Sequence, residues 1–96
     1  SSLLRDPIEE RILLDIDHQE LEKKIFILCA QKEGKDLNPY RVGIAKLYWP
    51  MKKKVLKDEY NIDWKSPDEL NTDGIVEVAF QENACEIDSE YWFSLL

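Results

Sequence analysis

Ile25-Phe26-Ile27-Leu28-Cys29-Ala30 is the longest uninterrupted apolar run in the chain, and its conformation decides the fold class. Rich in branched and aromatic residues and too short for a buried helix of its own, it reads as a central strand covered on both faces. Downstream, Glu33-Gly34-Lys35-Asp36 is a turn signal and Pro39 stops any helix. Residues 40–49 then read as a second strand, with Val42, Ile44 and Tyr48 on one side and Ala45, Leu47 and Trp49 on the other. The two would pair as a hairpin with a loose loop, and Gly43 marks a bulge or a close backbone approach.

Upstream, Asp6-Pro7-Ile8-Glu9 is a helix start: Asp6 can accept from exposed backbone N–H groups, Pro7 suits the first helical position, and Glu9 completes a capping-box spacing. Ile8, Ile12, Leu13 and Ile16 then share one face, which predicts a helix to about Asp17. Residues 11–17 also fit a buried strand, and the polar residues 18–24 fit an extension of the helix.

Beyond the second strand, Pro50 opens a helix in which Met51, Val55, Leu56 and Tyr60 form an apolar stripe. Lys52, Lys53, Lys54 and Lys57 come early in it and Asp58 and Glu59 late, the reverse of what the helix dipole favours. Ser66-Pro67-Asp68-Glu69 is a second capping box that nucleates a short helix to about Leu70, and Asn71-Thr72-Asp73-Gly74 is a turn. Residues 75–80 read as a third strand and 81–90 as a polar connection. Residues 91–96 are a terminal strand or the end of a helix, and their aromatic content favours the strand. The predicted fold class is therefore α+β: one small domain, a mostly antiparallel sheet of about four strands packed with two main helices.

Composition narrows the function. With 44% apolar residues, the chain of 96 residues is too hydrophobic to be disordered despite 34% charge. A domain of this size buries only about two-thirds of its unfolded surface, which leaves little room for a deep substrate cavity. Cys29, in the apolar run, and Cys85 lie far apart in sequence and read as buried, reduced small hydrophobes rather than a disulfide framework. No segment approaches the roughly 20 apolar residues of a membrane span, and no signal peptide is evident, so a cytoplasmic location is expected.

Catalytic signatures are missing. His18 is the one histidine, and its neighbours Asp15 and Asp17 share a face with each other only on a strand, where they could hold a hard divalent cation. On a helix they point apart. Three glycines (Gly34, Gly43, Gly74) cannot build a phosphate loop. The sequence predicts a non-enzyme with no metal and no cofactor. Direct nucleic-acid binding through the lysine cluster is disfavoured by a formal net charge of −7.

Charge distribution is the feature above background. Residues 58–96 carry eleven acids (Asp58, Glu59, Asp63, Asp68, Glu69, Asp73, Glu77, Glu82, Glu86, Asp88, Glu90) against one base, Lys65. Solubility alone accounts for such a bias. The functional alternative is a basic partner that neutralises it, steered by charge and anchored by an aromatic such as Trp64. On that view the chain is a small immunity or inhibitor protein covering the cationic site of a basic protein, above all a nuclease-type toxin. The contact residues would be Asp58, Glu59, Asp63, Trp64, Asp68, Glu69 and Asp73, with Glu86, Asp88 and Glu90 in reserve. A structural or adaptor domain, homo-oligomeric or part of a larger chain, is the second possibility, with the aromatics of residues 91–93 on an exposed edge strand.

Overall fold

The computed structural model describes residues 4–41, 43–71 and 87–96. The regular elements among them are all helical: α1 (Glu9–Asp15), α2 (His18–Glu33), α3 (Ala45–Tyr60), α4 (Pro67–Leu70) and α5 (Ser89–Leu95), with a 3-10 turn at Gly34–Asp36. No strand is found among the described residues, so the expected α+β class with its antiparallel sheet is overturned there. The third strand expected at residues 75–80 lies outside the described residues.

The decisive run belongs to the middle of α2. Asp17 starts this helix by accepting from the backbone N–H groups of Gln19 (3.0 Å) and Glu20 (3.3 Å). Leu21, Ile25, Phe26 and Cys29 then fall on the buried face, at helical spacing. A strand covered on both sides would bury Ile27 as well, yet Ile27 is 43% exposed. Gly34, at φ +60, ends the helix where a side chain would be strained.

The expected second strand is the first half of α3. Ile44, Ala45, Leu47, Tyr48 and Trp49 are all buried, so this part of the helix is enclosed except on the side of Lys46 and Pro50. With one polar residue, Lys46, on that narrow exposed side, the 3.6-residue period is weak and the stretch looks like a strand. Pro50 is inside the helix instead of opening it. Its ring cannot donate the N–H that an interior position supplies, a loss usually worth about 3 kcal/mol. Burial around it outweighs that loss. Pro50→Ala should therefore raise the denaturation midpoint, by an amount on the order of 1–3 kcal/mol in unfolding free energy. Equal or lower stability in urea titration would show that the ring is accommodated without strain. The helix ends at Asn61 in the left-handed region (φ 55), and the Ile62 N–H bonds back to the Leu56 carbonyl at 2.9 Å.

The C-terminal stretch is also helical. Asp88 accepts from the Tyr91 N–H at 3.1 Å to start α5, and Trp92 is fully buried. The edge-strand argument for an adaptor falls with the strand. Of the two predicted capping boxes, the second holds and the first does so only in part. Asp6 accepts from the Ile8 N–H (3.0 Å), but α1 begins at Glu9 rather than Pro7, its cap residue Ile8 offers no side-chain bond, and it stops at Asp15 rather than Asp17. The Ser66 N–H donates to Glu69 at 2.8 Å, and α4 ends at Leu70.

The core lies where α2, α3 and α5 meet. Trp92 presents its ring to Phe26 edge-on (5.4 Å between centroids) and to Tyr48 at a tilt (5.8 Å). The N-terminal segment is tied across the chain by Asp6, which also accepts from the Lys65 N–H at 2.9 Å. Beside it, the buried Asn71 amide pairs with both backbone groups of Leu4 at 3.0 Å.

Candidate functional site

The acidic residues split by what already holds them. Glu69 pairs with Lys53 and accepts from the Ser66 N–H, and these bonds, the lysine first, hold its carboxyl below the usual range. Asp68 accepts from the Ser66 hydroxyl, and Asp88 serves as the cap of α5. By contrast Asp58 and Glu59, on the last turn of α3, are exposed and make no ion pair or hydrogen bond among the described residues. Asp63, just past the Asn61 turn, is exposed and uncommitted in the same sense, as is Glu90 on α5. Asp73 and Glu86 lie outside the described residues.

Two shallow hollows flank the exposed edge of α3. Asp58 and Asp63 line one of about 390 Å³, which they share with Lys53, Lys54 and Lys57. Asp58 and Glu59 line the other, of about 210 Å³, between α3 and α2. The face is thus mixed, with carboxylates interleaved among the lysines that precede them in the chain. Trp64 is 1% exposed. Its ring lies under the Lys52 ammonium (5.0 Å to the centroid), and its Nε1 has no hydrogen-bond partner among the described residues. It offers no free surface to a partner and serves the chain's own core beneath Asp63.

The polar centre of the molecule is one that sequence reasoning misses. Glu22 on α2 is 8% exposed and is the buried charged side chain among the described residues. The Tyr48 hydroxyl of α3 donates to its Oε1, and the Trp92 Nε1–H of α5 donates to its Oε2 at 2.8 Å. Burial raises the Glu22 pKa; the two donors and the Lys52 charge oppose this, while the Asp88 charge adds to it. The signal is present in the sequence once α2 is drawn as a helix. Glu22 then falls three, four and seven residues before Ile25, Phe26 and Cys29, on the apolar stripe.

A small hollow of about 70 Å³ beside this carboxylate is lined by Glu9, His18, Tyr48 and Lys52 among others. That is room for very few waters. Both Glu22 oxygens are taken by the fold's own donors, so it is poorly placed as a base. Asp15 is engaged by Arg11 (3.4 Å) and Asp17 by the start of α2, so neither joins His18 there. Among the described residues, no group of three His, Cys, Asp or Glu side chains is placed to hold a metal ion. Cys29 is buried in the core; Cys85 lies outside the described residues.

No protein-family model matches the chain, and comparison with curated proteins and with solved structures found no similar protein. Among the described residues, no helix is long and apolar enough to cross a membrane.

Proposed function

We propose that this chain is a small cytoplasmic immunity or inhibitor protein that neutralises a basic protein partner, above all a nuclease-type toxin. One observation carries the reading: Asp58, Glu59 and Asp63 stand exposed and uncommitted at one end of α3, while other acids of the same half are engaged within the fold. A carboxylate with no internal partner can pair with a cation without first breaking a bond. Asp68, Glu69, Asp88 and Glu90, and from the sequence Asp73 and Glu86, add to the field that steers a basic partner. Trp64 acts by holding the segment that presents Asp63.

The test is charge reversal at Asp58→Lys with Asp63→Lys, followed by capture at low ionic strength and elution with a salt gradient. Wild type should retain a basic protein that salt releases, and the variant should lose it, with association slowed about tenfold or more at low salt. Unchanged capture and rate would refute the reading.

A structural or adaptor role is the second reading, favoured by Tyr40 and Phe93. Their rings stack 5.1 Å apart, 59% and 48% exposed, which is unusual for aromatics without a cover. Light scattering separates the two: a dimer that persists at high salt supports the adaptor.

A further inference from the structure

We infer that the groove between α2 and α3 receives a basic amphipathic helix of the partner, its apolar side chains on Ile27 and Leu28 and its cations on Asp58 and Glu59. This rests on the inhibitor reading and supplies what that reading lacks. A specific interface needs a desolvated apolar centre inside its charged rim, and Trp64, buried in the chain's own core, cannot provide it.

The groove can. Ile27 is 43% exposed, with half-buried Leu28 beside it on the wall of the same hollow of about 210 Å³, which the buried Val55 also lines. Four charged residues form the rim: Lys24, Lys54, Asp58 and Glu59. Lys24 is already engaged. Its ammonium donates to the Tyr60 hydroxyl oxygen (3.4 Å), pairs with Glu20 (3.3 Å) and sits 4.7 Å from the Tyr60 ring centroid. What remains uncommitted among the described residues is two carboxylates against the single cation of Lys54. Charge complementarity therefore selects an occupant that brings cations with its apolar face.

The occupant's shape follows from the walls. Both are helices whose backbone groups are bonded internally, so an extended peptide would find no edge to pair with. A helix needs none. It satisfies its own backbone and offers apolar residues at i and i+4, the mode in which helices fill apolar grooves.

The probe is a dye-labelled synthetic helix carrying Leu at i and i+4 flanked by Lys, read by fluorescence anisotropy at low salt. Two controls replace Lys by Glu, or Leu by Ser. The Leu/Lys peptide should bind wild type at least fivefold more tightly than either control. Ile27→Ser, at an exposed position, should weaken it about fivefold or more, and Asp58→Lys with Glu59→Lys about tenfold or more, with unfolding midpoints confirming that both variants are folded. Equal binding of the Leu/Glu or Leu/Ser-substituted peptide, or an unaffected Ile27→Ser variant, overturns the groove. The two proposals fail separately. A basic protein lost by the Asp58→Lys, Asp63→Lys variant but kept by Ile27→Ser leaves the inhibitor reading standing and removes the groove. Selective peptide binding with no salt-released basic partner does the reverse.

Discussion

Trp92→Ala should lower the unfolding free energy by about 3–5 kcal/mol, among the largest effects of any single substitution in this chain. The residue is fully buried and its ring touches both long helices, through Phe26 of α2 and Tyr48 of α3. Truncation removes those ring contacts, leaves a cavity, and takes away the Nε1–H that Glu22 accepts at 2.8 Å. A buried carboxylate short of a donor adds its own desolvation penalty. Trp92→Phe separates the contributions, because it keeps most of the apolar volume and loses the donor; about 1–3 kcal/mol is expected. Urea titrations followed by far-UV circular dichroism measure both. Since whole domains are stable by only about 5–15 kcal/mol, the Ala variant will sit near the edge of folding and the Phe variant carries the test if it unfolds. A loss below about 1 kcal/mol for both would mean that α5 is not part of the cooperative core.

That dependence on one tryptophan explains how much of the fold can be read from the residues. Local polar signals are legible. Ser66-Pro67 starts a helix where its capping chemistry says it should, because a cap is satisfied by neighbours within four residues, while Asp6-Pro7 falls two residues short of the start of α1. The apolar runs are not legible in isolation. Six residues from Ile25 fit a strand, and only a longer window shows Leu21, Ile25 and Cys29 at steps of four, bracketed by Asp17 and Gly34. Residues 44–49 defeat even that window, since all of them but Lys46 are buried and Pro50 argues against a helix. At the site, the exposure of Asp58, Glu59 and Asp63 follows from their charge. The burial of Trp64 depends on tertiary packing, which neither its neighbours nor its type reveal. Glu22 was hidden for the same reason. Its partners are 26 and 70 residues away.

Glu22 also gives the fold a dependence on pH whose sign is fixed. Its pKa is raised, chiefly by burial, so the folded chain binds this proton more tightly than the unfolded chain does. Below the ordinary glutamate value of about 4.3 both states are protonated and the contribution is complete. As pH rises through the interval up to the folded pKa, the unfolded chain ionises first and stability is lost. The loss is about 1.4 kcal/mol for every pH unit separating the two titrations, and it is complete above the folded value. Other groups titrate over the same range, and Glu69, whose pKa is lowered, acts in the opposite direction, so wild type is read against Glu22→Gln. The amide keeps the volume; its oxygen can accept from Trp92, and its NH2 can donate to the Tyr48 oxygen once that hydroxyl turns. The difference between wild type and Glu22→Gln should therefore shift toward the variant as pH is raised. Two further variants adjust the interval. Asp88→Asn retains the α5 cap while removing a like charge near Glu22, and should narrow it; Lys52→Gln removes a favourable charge and should widen it. Denaturation midpoints for wild type and Glu22→Gln that run parallel across this range would mean that the carboxylate is hydrated and ionises as freely in the folded chain as in the unfolded one.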